Sequence, residues 1–289
     1  MSKVYFSRNI SSDEVLKLYK KLGVELPGKV AVKVHSGEVG NQNFLHPDFW
    51  ETMIKYVDGV VVECNTAYEG ERNTTEKHLN TLHKHGWSEK FKVDLLDATE
   101  PDMELAIPKG KIITKNYVGK NIVNYDSMLV LSHFKGHPMG GYGGAIKQLS
   151  IGVASSYGKA YIHGCGVPQN IWTADHDSFL EAMAESAESV IDFFKGNVVY
   201  INVMKNMSVD CDCCSVAEDP CIKDIGILAS LDPVAIDQAC IDLVYQSNDP
   251  GKDHFIKRVE SRNGIHTIEK AAELGYGSRE YELIEITNE

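Results

Sequence analysis

Lys29-Val30-Ala31-Val32-Lys33-Val34-His35, then a helical stretch opened by His46-Pro47, then Gly59-Val60-Val61-Val62-Glu63-Cys64: these segments read as strand, helix, strand. The two valine-rich runs are short and bounded by turn residues, as buried strands are. Between them Phe49, Met53, Ile54 and Val57 recur at the spacing of one buried helical face. A strand-helix-strand unit of this length predicts a parallel pair joined by a right-handed crossover. The period of two places Lys33 and His35 on one face near the end of the first strand.

Working outward, Ser12-Asp13-Glu14 opens a helix that stops at Gly23. Further strands are expected at Ser127-Ser132, Val198-Val203 and Ile225-Leu228, with a helix from about Ile146. Asp232-Pro233 caps another helix, whose apolar stripe runs through Ile236, Ala239, Cys240 and Leu243. The alternation of strands and helices predicts an α/β fold with a mixed or mostly parallel sheet and flanking helices. Pro101, Pro108, Gly110 and Gly119 interrupt residues 98–124, which lack helical periodicity. A boundary near residue 120 would divide the chain into an N-terminal lobe, 1–120, and a C-terminal lobe, 121–289; one continuous domain is the alternative. There is no internal repeat.

The formal charge of -12 argues against a nucleic-acid or anionic-membrane partner, which would reward the opposite sign over a broad surface. No apolar run has signal-peptide or transmembrane length, so a cytoplasmic location is expected. Seven cysteines, an odd number, fit a secreted disulfide framework poorly.

Polar loops follow the predicted strands, at the sheet edge where open α/β folds bind ligands. In the loop from Asn65 through Tyr68, Arg72 can clamp a carboxylate, with Asn65 and His78 near the same edge. The denser motif is His133-Phe134-Lys135-Gly136-His137-Pro138-Met139-Gly140-Gly141-Tyr142-Gly143-Gly144-Ala145-Ile146-Lys147. If its start stays extended, His133, Lys135 and His137 share one face and are the candidate catalytic groups. Gly143 and Gly144 would let the backbone approach an anion, the next helix would offer it free N–H groups, and Lys147 would add charge. His163 is a further candidate for this pocket. The ordinary alternative is a set of turn glycines and hydrogen-bonded histidines.

Asp210-Cys211-Asp212-Cys213-Cys214, followed by Cys221, puts four cysteines within eleven residues. Thiolates at this density suit an iron-sulfur cluster, with zinc or another divalent metal as the alternative; Cys211, Cys213, Cys214 and Cys221 are the candidate ligands. The spacing matches neither a ferredoxin run nor a zinc ribbon. Asp210 and Asp212 would oppose an anionic cluster, and Lys205 and Lys223 are the expected counter-charges. Cys240 reads as core, and Cys64 as either core or site.

The Asn65-Tyr68 loop with Arg72 and His78, the His133–Lys147 motif, the cysteine cluster and Asp224-Ile225-Gly226 through Asp237 together resemble a bacterial and archaeal family catalogued as a domain of unknown function. Its members are often fused to, or described with, ferredoxin-type iron-sulfur modules. The resemblance spans nearly the whole chain, which lacks the appended ferredoxin cysteine runs. It implies a redox role and a ferredoxin-like electron partner. The segment His137 to Lys147 is also similar to a loop of nickel-pincer lactate racemases, which implies proton or hydride transfer at a small hydroxy acid.

Three readings follow. The first is an iron-sulfur or metal-binding oxidoreductase with an adjacent pocket for a small anionic substrate. The second is a non-redox metalloenzyme doing acid-base chemistry on a small carboxylate. The third is a metal or cluster carrier.

Overall fold

The computed structural model describes residues 1–287. The chain begins with β1 (Ser2–Ser7), α1 (Ser12–Lys21) and β2 (Val30–Lys33), then α2 (Pro47–Tyr56) and β3 (Val60–Glu63). Next come α3 (Thr75–Lys84), α4 (Trp87–Lys90), β4 (Val93–Leu95), β5 (Met103–Ala106) and β6 (Lys115–Val118). The central part holds β7 (Ser127–His133), β8 (Lys135–His137), β9 (Gly141–Gly143), α5 (Ala145–Leu149), α6 (Ser156–His163) and α7 (His176–Phe193). The rest is β10 (Val198–Met204), β11 (Gly226–Ser230), α8 (Pro233–Gln246), α9 (Lys252–Ser261), α10 (Ile265–Leu274) and β12 (Tyr281–Glu285).

Eight of these strands form one sheet in the order β12-β1-β11-β10-β7-β2-β3-β4. Pairings from β10 to β4 are parallel, β1 with β12 is parallel, and β11 runs against both neighbours. The α/β fold with a mostly parallel sheet is therefore as the sequence predicts, and β2 and β3 pair in parallel, Val32 opposite Val61. Because β2 also pairs with β7, the sheet runs without interruption across residue 120. Residues 98–124 instead carry the small antiparallel β5–β6 pair.

Strand alternation feeds two apolar layers. Val30 and Val32 of β2 and Leu129 and Leu131 of β7 pack with Val15, Leu18, Trp50 and Met53 of α1 and α2. Ala31, Met128 and Val130 point to the opposite face, against Ile146 of α5, Ala187 of α7 and Ala235 of α8. Burying each of these larger side chains is worth about 1.5–3 kcal/mol, and a register slip of one residue would exchange the two faces.

The helix signals hold as well. Ser11 caps α1 by accepting from Glu14 N, and Asp232 caps α8 by accepting from Val234 N and Ala235 N. The edge strands β4 and β12 are short or half-exposed, and neither they nor β1 carry the strong apolar alternation that marks β2 and β7. No helix among the described residues is long and apolar enough to cross a membrane.

Candidate metal centre and anion cavity

The C-terminal ends of β2, β3, β7 and β10 open onto one side of the sheet, where Lys33, Glu63, His133 and Met204 end their strands. β7 ends at His133, and after Phe134 the chain continues as β8, which pairs with β9 as a separate ribbon, Lys135 opposite Gly143. Gly136 lets this ribbon meet the loop after β10: its N–H donates to Ser208 O at 2.8 Å, and a Cβ there would stand 2.3 Å from Val209 O.

That loop carries the cysteines and is held from several sides. Asn41 Nδ2 donates to Cys214 O at 2.9 Å and Cys211 O at 3.3 Å, and Glu38 N donates to Asp212 O at 2.8 Å. The Asp212 carboxylate, 1% exposed, faces His133 Nδ1 at 2.9 Å and Lys135 Nζ at 3.0 Å. Burial would raise its pKa, but these two groups override that and hold it well below the carboxylate range. Arg258 pairs with Asp210 at 3.2 Å. The expected counter-charges Lys205 and Lys223 are therefore corrected to Lys135 and Arg258, with His133 as a hydrogen-bond partner of Asp212; Lys205 pairs with Asp224 instead.

Among the described residues, His137, Cys211 and Cys213 each bring one ligand atom within 4.8 Å of the others. Two thiols and an imidazole at that separation form a donor set for a soft metal. The thiols fit such an ion. Cys211 is pushed up by its hydrogen bond with Cys213 and by burial, so the free thiol is protonated at neutral pH and a metal would displace the proton. His137 is more constrained, because its Nδ1 accepts from Met139 N at 3.1 Å and Gly140 N at 2.8 Å. Only Nε2 is offered to the cysteines, and in the neutral ring that nitrogen carries the proton. Cys214 is lowered by its hydrogen bond with Cys213, and these two thiols line the cavity beside the buried Cys211. Cys221 does not join them: its Sγ donates to Met207 O at 3.5 Å and it packs on the apolar core.

A cavity of about 290 Å³ lies beside these thiols, lined by His137, Cys213 and Cys214. Lys33, Arg72, Lys147 and Lys159 also line it. Lys33 is paired with Glu63 at 2.8 Å, and Arg72 Nε with Glu38 at 3.1 Å. Arg72 Nη2 is buried with no hydrogen-bond partner. Lys159 Nζ donates to Ala154 O, and Lys147 has no ion pair or hydrogen bond from its ammonium among the described residues. Burial pushes His163 down to about 3 and His137 to about 4, with Lys147 adding to both, so these imidazoles are neutral at pH 7. His35, also on the wall, is pushed well below its ordinary value by burial and then by Arg72.

Of the residues the sequence proposed, Arg72, His137, Lys147, His163, Cys213 and Cys214 line the cavity. His133 and Lys135 stand behind the cysteine loop on Asp212, and His133 Nε2 is held by Lys205 O at 2.6 Å. Asn65 Oδ1 meets His78 Nδ1 at 3.3 Å and His78 Nε2 meets Ser36 Oγ at 3.4 Å, a buried polar chain that does not line the cavity.

The expected anion site at the start of α5 is corrected: its N–H groups are already taken. Ala145 N and Ile146 N donate to the Asp237 carboxylate at 2.7 and 3.0 Å, and Asn202 Nδ2 and Tyr142 Oη donate to it at 2.7 and 3.3 Å. Gly144 leaves room for that internal anion, since a Cβ would lie 2.4 Å from Asp237 Oδ1.

Residues 30–242 match the family model described as Domain of unknown function (DUF362). The chain belongs to this family. Among curated proteins no match is found for this DUF362 chain. Its fold is similar to the lactate racemase apoprotein from Thermoanaerobacterium thermosaccharolyticum, at 15% identity and a TM-score of 0.42 over 69% of this chain and 50% of that one. It is also similar to a structural-genomics target protein from Thermotoga maritima, at 11% identity and a TM-score of 0.46 over 91% of this chain and 58% of that one. The chain thus spans half to somewhat over half the length of these proteins.

Residues that sequence reasoning did not place in the site are Lys33, His35, Glu63, Tyr68, Lys159 and Trp172, all on the cavity wall. Lys33 and His35 had a signal, their shared strand face. Lys159 lies four residues before His163 on α6, the spacing that puts two side chains on one helical face.

Proposed function

We propose that this DUF362 protein is a metal-dependent enzyme that acts on a small organic anion, with the metal held by Cys211 and Cys213 at the wall of the cationic cavity. The observation that carries the reading is the convergence of His137, Cys211 and Cys213 within 4.8 Å beside a cavity lined by lysines and Arg72. Three or fewer protein ligands leave a coordination position open, which is the arrangement of catalytic rather than structural metal sites. A bound metal would supply Lewis acidity or, as an iron-sulfur cluster, electron transfer. The chain's own residues supply the rest. Arg72 and Lys147 receive the anion, and His163, whose Nδ1 is buried without a partner, is a neutral imidazole able to exchange a proton with it. A ferredoxin-like electron partner belongs to the iron-sulfur version of this reading, for which the three thiols Cys211, Cys213 and Cys214 are the ligands.

A second reading rests on the His137 ring. With Nδ1 accepting from two backbone N–H groups, its protonated Nε2 would hydrogen-bond a metal-bound Cys211 thiolate and leave the metal to the cysteines alone.

Anaerobic purification followed by elemental analysis and a visible spectrum separates these readings. Iron with sulfide and a broad visible band supports the cluster, and a single equivalent of a colourless soft metal supports the mononuclear site. Either result must be lost in Cys213→Ser for the ligand assignment to stand. Metal-free protein would overturn the metal assignment.

A further inference from the structure

The cavity has a polarity gradient that its volume alone does not convey. Its deepest cations are almost sealed, Lys33 at 0% exposure and Arg72 at 3%. Its rim is apolar: Met139 and Ile171 are half-buried, and Trp172 is 64% exposed although it lines the opening. An exposed tryptophan at the mouth of a cationic pocket has no packing reason to be there, since it buries little of its surface.

Tyr68 connects the two zones. It lines the cavity together with Cys213, and its ring lies 6.1 Å from that of Trp172. Arg72, Lys147 and Cys213 line the same cavity. A line from Cys213 through Tyr68 to Trp172 therefore runs from charge to aromatic surface.

We infer that the ligand is an amphiphilic carboxylate, its head on the unpartnered Nη2 of Arg72 and on Lys147, and an apolar, aryl-sized body lying along Tyr68 under Ile171 and Trp172. This rests on the anion-binding part of the proposed function and names the substrate class for that site. An inorganic anion or a fully hydrophilic acid would satisfy the floor and leave the neck wet. A cavity of about 290 Å³ sits at the lower limit for small-molecule pockets, so the body is one ring or its branched-alkyl equivalent.

Isothermal calorimetry on the full chain with acetate, phenylacetate and inorganic phosphate tests this. Phenylacetate should bind at least tenfold more tightly than acetate, a difference of about 1.4 kcal/mol. Trp172→Ala, a change at an exposed side chain, should erase most of that advantage and leave acetate binding as it was. Equal affinities for acetate and phenylacetate, or phosphate binding more tightly than both, would overturn the amphiphilic assignment while the anion cavity stands. Absence of binding by all three would overturn the anion cavity itself, and this inference with it. An aryl preference that persists undiminished in Trp172→Ala would also overturn the placement of the body.

Discussion

Replacing Gly144 with alanine should be far more costly than the same change one residue earlier. An added Cβ at Gly144 meets Asp237 Oδ1 at 2.4 Å, Cγ at 2.8 Å and Oδ2 at 3.0 Å. Reaching an ordinary 3.4 Å contact with Oδ1 requires a displacement of about 1 Å. The carboxylate cannot yield freely, because Ala145 N and Asn202 Nδ2 both hold Oδ1 at 2.7 Å. A shift of that size stretches both bonds beyond hydrogen-bonding distance and leaves buried donors unpaired. At roughly 1.5–3 kcal/mol for each bond to a charged group, the expected loss is about 3–6 kcal/mol. At Gly143 the nearest atoms are Lys147 Cδ at 3.5 Å and Lys135 Cε at 3.7 Å, which is normal packing. Gly143→Ala should therefore stay within about 1 kcal/mol of the parent, helped by reduced freedom of the unfolded chain. Urea unfolding reads the difference as a lower midpoint at constant slope. A double change, Gly144→Ala with Asp237→Ala, should cost no more than Asp237→Ala alone, since both remove one interaction. Equal losses at positions 143 and 144, or an additive double change, would refute the reasoning.

Gly136→Ala should push the β8 ribbon off the cysteine loop, because the new Cβ would lie 2.3 Å from Val209 O; metal affinity should fall at least tenfold with the far-ultraviolet circular dichroism kept, and unaltered metal stoichiometry and affinity would contradict this. Cys221→Ser should leave metal content unchanged, as measured by elemental analysis, because its Sγ is turned to Met207 O. Lys33→Met should cost about 3–5 kcal/mol at pH 7 by leaving Glu63 buried without its partner. That cost should also shrink as pH falls. In the parent, burial raises the pKa of Glu63 but Lys33 overrides it and holds it at about 2, so its contribution is present above the ordinary value of 4.5 and is lost as pH falls toward 2. Without Lys33 less positive charge opposes burial, the carboxyl titrates higher than in the parent, and the stability gap between variant and parent should narrow as pH falls; a gap that stays constant from pH 7 to pH 3 would count against the pairing.

The fold was legible where apolar periodicity was strong. β2, α2 and β3 carry a buried face with few interruptions, and each lies within a residue or two of where the pattern puts it. The β5–β6 pair and the edge strands were not, since three to five half-exposed residues carry too little apolar alternation to stand out. The site divides in the same way. Strand and helix spacing can show that Lys33 and His35, or Lys159 and His163, share a face. It cannot show that His133 and Lys135 both engage the distant Asp212 carboxylate. Nor can it show that Asp237, ninety-two residues after Ala145, fills the helix N-terminus that looked open to a ligand. Trp172 lies in an irregular segment where no periodicity applies.

Charge accounting at the cavity limits the chemistry further. Four cations line it, and two have carboxylate partners, Lys33 with Glu63 and Arg72 with Glu38. Lys147 and Lys159 have no carboxylate within ion-pair distance among the described residues. The neighbouring histidines His137 and His163 are neutral, and Asp210 and Asp212 are spent on Arg258, His133 and Lys135. Replacing two thiol protons by a divalent ion leaves the net charge unchanged, so the surplus of two positive charges is the same with or without a metal. A single carboxylate neutralises one of them. On the proposed function, the second would stabilise negative charge developing on a bound acid, which is where preorganised cations contribute most to a reaction.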